Sequence, residues 1–416
     1  MNPTRTKEHL MTSNMQKRKH IPSDGDSLFS IHKRDKSKTL WYKSSWESME
    51  AVSVPTNKER VTYRSKIYPY HSLHRSVLTT VLPRIKVKDG EDVTISWCDN
   101  LMFSMIDTFQ LMFNDTELQF GNGHLLYADQ LYIRHSTPNL KFGTKLKNTP
   151  VSIEVPFSYA NSETDAFPLH LCGQNDRLYH LFNFNLSIEK LLVMKDSNSR
   201  LVDVDLSKLE IENNYESIPV PDLEGLYTTH VGENSDFISE KENSLFVNSM
   251  YHIEDDNEIT LGKRVNLKID SRCNYPVEEI IWGAVNTTMT EENSTLYITT
   301  KNEDTPIKTS KIESKDDVIL DTKESFKTEY VYNPNNYIEG LSRWRNSICD
   351  KDGKKFTPGV MMNGGKLTVT TNHDNLGCKF VVFMILKYTK QFVFTSYPKT
   401  QKERLTKGAT IELVNE

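Results

Sequence analysis

Cysteine is scarce in this sequence and is scattered along it. The 416 residues contain five cysteines, Cys98, Cys172, Cys273, Cys349 and Cys378, and no two of them form a C-x-x-C pair. Zinc sites and dense disulfide frameworks are built from closely spaced cysteines, so the sequence predicts neither. We expect a protein of a reducing compartment in which each cysteine is a small buried apolar group.

Long apolar runs are also missing. The longest strongly apolar run, Phe380–Leu386, is far shorter than the ~20 residues that cross a bilayer as a helix, and it predicts a buried strand instead. The N-terminus lacks the apolar core of a secretory signal. Without such a signal, the four Asn-X-Ser/Thr sequences are interpreted as chance matches to the glycosylation motif.

The sequence motifs of common catalytic and cofactor sites are absent. There is no phosphate-binding G-x-x-x-x-G-K-[ST] loop, no dinucleotide-binding glycine motif, no G-x-S-x-G and no H-E-x-x-H. We therefore predict a protein that is not an enzyme, with no catalytic residues, no cofactor and no metal. Paired glycosidase carboxylates leave no motif in a single sequence, so a carbohydrate-cleaving β-sandwich remains an alternative.

Three local groups of reactive side chains have both a functional and an ordinary structural interpretation. His71 and His74 have a spacing that suits two metal ligands, but a metal site needs further ligands, and none are obvious nearby. Cys172 lies close in sequence to His170 and His180, a spacing that suits a Cys–His nucleophile, although ordinary core or surface positions are favoured. The acidic segment Glu254–Glu258 lacks the spacing of a calcium-binding loop and predicts a polar turn.

Charge is nearly balanced overall but not at the N-terminus. The net charge is −5, which gives no general reason to bind nucleic acid, whereas residues 1–40 contain nine Lys or Arg and four Asp or Glu. We predict a basic N-terminal arm, residues 1–55, which is either a solvated tail or a segment that orders against a neighbouring subunit, an inner membrane or nucleic acid. Trp41 and Trp46 are the predicted assembly contacts, because aromatic side chains dominate interface energetics. The alternative is that both cover their own domain.

The sequence does contain a clear period of two. From about residue 60, apolar and polar residues alternate in many short segments, among them Val151–Phe157, Phe182–Ile188 and Val265–Ile269. This alternation is typical of half-buried antiparallel strands. Helical periodicity is weak: Asn336–Ile348 is one candidate short helix, and Leu101–Phe113 is ambiguous between helix and strand.

Two blocks of predicted strands are separated by a break in the alternation. Residues 213–228 contain two prolines and a glycine in polar surroundings, which predicts a linker. We predict a first domain at 56–212, a second at 229–400 that carries a long surface loop at 301–327, and a C-terminal tail at 401–416. Blocks of this size suit jelly rolls. The predicted fold is all-β: two tandem eight-stranded jelly-roll barrels with an N-terminal arm.

Nine segments, taken in their order along the chain, match the pattern of a known protein family. They are Arg75–Val87, Ile95–Trp97, Glu117–Gly121, Val155–Phe157, Phe167–Leu171, Leu181–Leu192, Cys273–Trp282, Gly364–Val369 and Phe380–Phe394. The most specific is Cys273–Trp282, in which Pro276 begins a strand where no ladder donor is needed and Trp282 supplies a large ring for the core. Together they resemble the double jelly-roll major capsid proteins of nucleocytoplasmic large DNA viruses.

The resemblance implies a structural protein whose function is assembly. Three subunits of such a protein form a pseudo-hexameric capsomer that tiles an icosahedral virus shell. The implied partners are two further copies of the chain, neighbouring capsomers, and penton and minor capsid proteins. The implied location is the virion, after assembly in the host cytoplasm or nucleus. Alternatives are a scaffold or minor capsid protein of the same fold, or a carbohydrate-binding β-sandwich.

Overall fold

The structure is a computed structural model that describes most of the chain from residue 41 onward. The described residues are 41–53, 60–97, 101–123, 125–126, 149–155, 157, 166–198, 201–231, 242–255, 264–270, 273–286, 307–314, 318–321, 342–345, 348–349, 355–356, 360–362, 364–371, 380–396 and 409–413. Residues 1–40 of the predicted basic arm lie outside this set.

The described part of the N-terminal half is built almost entirely from strands, as the alternating sequence predicts. These are β1 (Trp41–Ser48), β2 (Glu50–Ser53), β3 (Arg60–Arg64), β4 (Ser72–Leu82), β5 (Ile85–Val87), β6 (Val93–Trp97), β7 (Ile106–Phe113), β8 (Thr116–Asn122), β9 (Thr149–Val155), β10 (Leu178–Phe184), β11 (Leu192–Asp196), β12 (Leu201–Val202), β13 (Leu209–Ile211) and β14 (Asp222–Val231). Short helical turns are α1 (Leu101–Ser104), α2 (Ile188–Leu191) and the 3₁₀ segments Leu169–Leu171, Leu206–Lys208 and Glu212–Asn214.

The described part of the C-terminal half is also β-structure. Its strands are β15 (Glu242–Glu254), β16 (Arg264–Lys268), β17 (Val277–Asn286), β18 (Ile307–Glu313), β19 (Val318–Asp321), β20 (Ser342–Arg345), β21 (Ile348–Cys349), β22 (Lys355–Phe356), β23 (Lys366–Thr371), β24 (Phe380–Ser396) and β25 (Ala409–Leu413). The ambiguous segment Leu101–Phe113 divides into both predicted forms, a single helical turn, α1, followed by strand β7.

Two antiparallel sheets enclose the N-terminal core. One has the strand order β1-β14-β4-β9 and the other the order β2-β3-β10-β7-β8. The chain crosses from the first sheet to the second at Met49, a buried residue between β1 and β2. Aromatic rings fill the space between them: Phe109 meets Phe157 edge-on at 5.5 Å, and Phe182 lies stacked on Phe184 at 5.3 Å. Such pairs add to the stability gained from area burial alone.

The C-terminal half repeats this arrangement with a second apolar cluster. One sheet has the order β15-β24-β17-β20, with β25 also paired to β24, and the other has the order β16-β23-β18-β19. Val265, Leu267 and Val369 from the second sheet join Ile280 and Trp282 from the first in one buried cluster. The alternation predicted for β16 and the buried ring predicted for Trp282 are both confirmed.

Strand β24 is buried on both faces. Val382, Met384 and Leu386 belong to the C-terminal cluster, whereas Phe383 and Ile385 belong to the N-terminal cluster. Because successive side chains of a strand point to opposite faces, β24 lies between the two cores over these residues. The buried strand predicted from this apolar run is confirmed, and its lack of alternation follows from its having two buried faces.

The predicted boundary of the N-terminal arm, residue 55, is corrected. Residues 41–53 form β1 and β2, which pair with β14 and β3 respectively and so belong to the two N-terminal sheets. All four residues of β2 are exposed, so the strand carries no apolar alternation by which the sequence would reveal it. An edge strand of this kind obtains its stability from ladder hydrogen bonds to its neighbour.

The predicted linker, residues 213–228, is corrected in its second half. Residues from Asp222 onward form β14, the central neighbour of β1 and β4. A Cβ atom on Gly225 would lie 2.7 Å from Met49 Cε and 2.8 Å from Leu73 Cδ1. This glycine therefore permits close packing in a strand rather than a turn in a linker, because no larger residue fits there.

Three other predictions for the C-terminal half also need correction. The tail at 401–416 contains β25, and the surface loop at 301–327 contains β18 and β19. Within the candidate helix Asn336–Ile348, residues 342–345 form strand β20 rather than helix, and most of the remainder lies outside the described residues. Strands of four to seven residues offer too few positions for a period of two to stand out in the sequence.

Candidate assembly surface and the seam between the two halves

Trp46 lies on an exposed face of the first N-terminal sheet. Its side chain is 45% exposed, and it stands opposite Leu226 of β14, which in turn stands opposite Arg75 of β4. Val77 and Val81 follow Arg75 on the same face of β4, and Val81 is also 45% exposed. We call this set of five residues the outer sheet face.

Polar contacts tie β1 and β4 to neighbouring parts of the fold. Arg75 Nε donates to Glu154 Oε1 at 2.8 Å, which ties β4 to β9. On the opposite face of β1, Lys66 Nζ donates to Glu47 Oε2 at 3.1 Å, and this ammonium group holds the pKa of the Glu47 carboxyl below its ordinary value. Trp46 is therefore an apolar side chain on a paired strand of a sheet rather than on a separate arm.

Trp41, the other predicted assembly residue, is the first residue of β1. Its backbone stands opposite Val231 in the ladder with β14, and its side chain lies outside the described part of the structure. The prediction for Trp41 as an assembly contact stays a prediction.

The suggested Cys–His nucleophile is not supported by the environment of either residue. Cys172 is buried, its thiol donates to the Pro168 carbonyl oxygen at 3.8 Å, and burial raises the pKa of the thiol well above its ordinary value. His180 is fully buried against the Phe157 ring at 4.8 Å, and burial lowers the pKa of its imidazole to about 3. A nucleophilic cysteine requires an accessible thiolate, whereas these groups are a neutral thiol and a neutral imidazole.

Other site types were also predicted to be absent. Among the described residues, no three His, Cys, Asp or Glu side chains come together in a way that would hold a metal ion. Within the same residues, none of the helices has the length and apolar character needed to cross a bilayer.

The two halves meet along a seam that the sequence does not indicate. At its apolar centre, Phe394 of β24 lies 5.2 Å from the ring of Phe113 and 5.6 Å from that of Phe167, both in the N-terminal half. Ile411 and Leu413 of β25 pack against the same N-terminal cluster. The closing strands of the chain therefore complete the N-terminal core as well as their own.

The seam has a polar margin between β8 and β15. The Phe120 amide of β8 donates to Ser249 Oγ of β15 at 3.3 Å. Lys390 Nζ of β24 lies 3.7 Å from Glu117 Oε1 of β8 and 5.8 Å from the centroid of the Tyr388 ring. A cation held between a carboxylate and an aromatic face is stabilised by both.

A cavity of about 370 Å³ opens at one end of this seam. Both halves line it, and the charged or polar groups around it include Asp107, Asn185 and Lys190 of the N-terminal half and His252 and Glu254 of β15. His252 Nε2 lies 3.9 Å from Glu254 Oε2, and the imidazole ring is 6.0 Å from the Phe383 ring. Burial lowers the pKa of His252 below its ordinary value.

Solved structures with the same fold are viral capsid proteins. No protein-family model matches the sequence, and no curated protein matches it at the threshold for significant similarity. The structure resembles PBCV-1 VP54, which has been fitted into a reconstruction of the virophage Sputnik, with a TM-score of 0.61 and 11% identity over 87% of this chain and 97% of that one. The chain has the fold of these capsid proteins.

Two further solved structures of viral capsids have the same fold. The likeness to the PBCV-1 virus capsid has a TM-score of 0.57 and 10% identity, and it covers 93% of this chain and 100% of that chain. For the Faustovirus major capsid protein the TM-score is 0.54 at 8% identity, covering 90% and 93% of the two chains. The predicted all-β jelly-roll class and the resemblance to large-DNA-virus capsid proteins are confirmed at the level of fold. Eight strands in each of two barrels stays a prediction.

Proposed function

We propose that this chain is a structural capsid protein that builds an icosahedral virus shell. The observation that carries the proposal is a likeness of fold that extends over 87–93% of the chain to PBCV-1 and Faustovirus proteins. A likeness of this extent includes both halves and their relative placement, which a shared single domain would not explain. In this proposal the protein is not an enzyme, needs no cofactor, and is located in the virion after assembly in the host cytoplasm or nucleus.

The proposed functional unit is a homotrimer that has six similar lobes. Two halves of similar architecture stand side by side in one chain, so three chains related head to tail close into a ring with near-sixfold shape. Permanent interfaces of this kind bury roughly 2,000–5,000 Å² in total and are comparatively apolar. Further partners are neighbouring capsomers, penton and minor capsid proteins, and an inner membrane or nucleic acid contacted through residues 1–40.

The outer sheet face is the proposed contact with a second copy of the chain. Trp46 and Val81 are large apolar side chains that remain 45% exposed on a sheet whose other face is buried. A tryptophan on a rigid strand loses little conformational entropy when it is covered, which is why Trp is enriched among residues that dominate interface energies. Arg75, adjacent on this face and paired with Glu154, supplies the polar rim that such interfaces have.

A scaffold that forms a temporary lattice is the second candidate, because it would have the same fold. Averaged electron micrographs of the purified protein test the common part of both proposals. We expect rings with threefold symmetry and six similar lobes, whereas single two-lobed particles would contradict both. Detection of the chain in mature particles separates the capsid protein, which stays, from the scaffold, which is removed.

A further inference from the structure

His252 occupies a setting that differs from that of His180, which is fully buried. The side chain of His252 is 25% exposed and lines the seam cavity, while its Nε2 atom is itself buried, so a local opening of the seam is enough to bring water to the ring. His180 has no exposed surface and lies inside the N-terminal core, against Phe157 and 3.4 Å from Ser65 Oγ. Only His252 can therefore take up a proton without the unfolding of a half.

We propose that His252 makes the seam sensitive to acid, so that protonation of its imidazole loosens the contact between β8 and β15 while each half stays folded. The imidazole lies 6.0 Å from the Phe383 ring of β24, and the cavity that it lines is closed on the other side by the apolar residues Phe103, Ile106 and Phe120 of the N-terminal half. A charged imidazole in this place loses hydration that apolar neighbours do not replace. Separation of β15 from the N-terminal half restores that hydration.

The charged groups around His252 do not remove this penalty. Glu254 follows it on the same strand and is the nearest carboxylate, but its side chain is 52% exposed, so solvent screens much of its attraction. Across the cavity, Asp107 of β7 and Lys190 of α2 have opposite charges. Farther along the seam, Glu117 of β8 and Lys390 of β24 are paired with each other.

The direction of the pH effect follows from the burial of His252. Burial lowers the pKa of its imidazole below the ordinary value of 6.5, whereas a solvated imidazole in an open seam has that ordinary value. The open seam therefore binds the proton more tightly. The ratio of open to closed seam rises by up to about tenfold for each pH unit below 6.5, until the pKa of the closed form is reached.

Amide hydrogen exchange of the full chain tests the proposal, with rates corrected for the chemical exchange rate at each pH. The Phe120 amide is a direct probe, because its acceptor is Ser249 Oγ across the seam. Between about pH 7.5 and about pH 5.5 we expect a loss of protection of up to about tenfold in the peptide that covers β8. Peptides that cover β16 and β23, which face away from the seam in the C-terminal cluster, should keep their protection.

His252→Gln is the decisive variant, since glutamine stays neutral over this pH range and keeps a polar side chain. Its β8 peptide should keep the same protection at both pH values. His74→Gln is the matched control, because His74 lies on β4 within hydrogen-bond distance of Ser72 Oγ, at 2.9 Å, and the control should behave like the unsubstituted protein. An acid effect that persists in His252→Gln, no acid effect at all, or a simultaneous loss of protection in all peptides would each overturn the proposal.

Discussion

Phe394, near the end of β24, packs edge-on against Phe113, at the end of β7, with ring centroids 5.2 Å apart. These two residues are 281 positions apart in the sequence, one in each half of the chain. Their contact means that the N-terminal core is completed only when the last long strand has been placed. The two halves therefore share part of their stability.

Truncation of this ring should destabilise both halves at once. Phe394→Ala removes a fully buried ring and leaves a cavity between Phe113 and Phe167, which typically costs about 3–5 kcal/mol. We expect urea unfolding, followed by probes in each half, to shift by the same amount for both. Tyr68→Ala, at a side chain that is 79% exposed, is the control and should change little. A shift confined to the C-terminal half would show that the halves are independent.

The C-terminal strand β25 should contribute to stability through only one of its faces. Ile411 and Leu413 pack against the N-terminal cluster, whereas Glu412 between them is exposed. Ile411→Ala should lower the free energy of unfolding by about 2 kcal/mol, because the side chain is only partly buried. Glu412→Ala, on the same strand, should leave it nearly unchanged. Equal effects of the two variants in thermal unfolding would contradict the proposed packing of β25.

Gly225 should tolerate no side chain. Gly225→Ala places a methyl group 2.7 Å from Met49 Cε and from Tyr227 Cε2, and overpacking of this kind costs roughly 1–3 kcal/mol. Ser48→Ala, at an exposed position of β1, is the control. The free energy of unfolding of the two variants is compared by urea denaturation, and an unchanged stability in Gly225→Ala would show that Gly225 is packed less closely against Met49 and Leu73 than the structure has it.

His180 should make the stability of the protein depend on pH. Its pKa is lowered from 6.5 to about 3 by burial, so the unfolded chain binds a proton in this range and the folded chain does not. Stability from this group is fully present above about pH 6.5 and is lost as pH falls, by up to about 1.4 kcal/mol per pH unit. In His180→Leu the decline measured by urea unfolding should be less steep by this amount. An equally steep decline would contradict the neutral, buried imidazole.

Trp46 should stabilise the assembled form rather than the single chain. Trp46→Ser removes the largest exposed side chain of the outer sheet face, and loss of an interface residue of this kind typically weakens association by 2 kcal/mol or more, about thirtyfold. Tyr215→Ser is a matched control, because Tyr215 is also an exposed aromatic residue, at 40%, and lies outside that face. Light scattering at a series of protein concentrations measures the association of each variant. An equal effect of both variants would remove the outer sheet face from the interface.

The fold class can be predicted from the sequence, because strands with one buried face have apolar residues at every second position. Strands such as β10 and β16 alternate strictly between buried and exposed side chains, and their residues show it directly. β24 was also predicted as a strand, although it does not alternate, because a run of this length is too short for a membrane helix. Its second buried face, against the N-terminal core, explains the pattern only after the fold is known.

The candidate assembly surface and the seam are harder to predict from the sequence, for physical reasons. β14 was interpreted partly as linker because Gly225 is a turn signal in sequence and a close-packing residue in space. The seam brings residues such as Glu117 and Lys390 together, and no local pattern marks a contact between such distant positions. Trp46 was predicted as an assembly contact, and the structure adds that it stands exposed on an ordered strand.

The mass of the purified full-length protein in solution, measured by light scattering after size-exclusion chromatography, is the most direct test of the central claim. A chain that builds capsomers should have a mass three times the 48.1 kDa of one copy, independent of dilution over the micromolar range. A mass of 48.1 kDa at all concentrations would contradict the claim that this fold serves to assemble a shell.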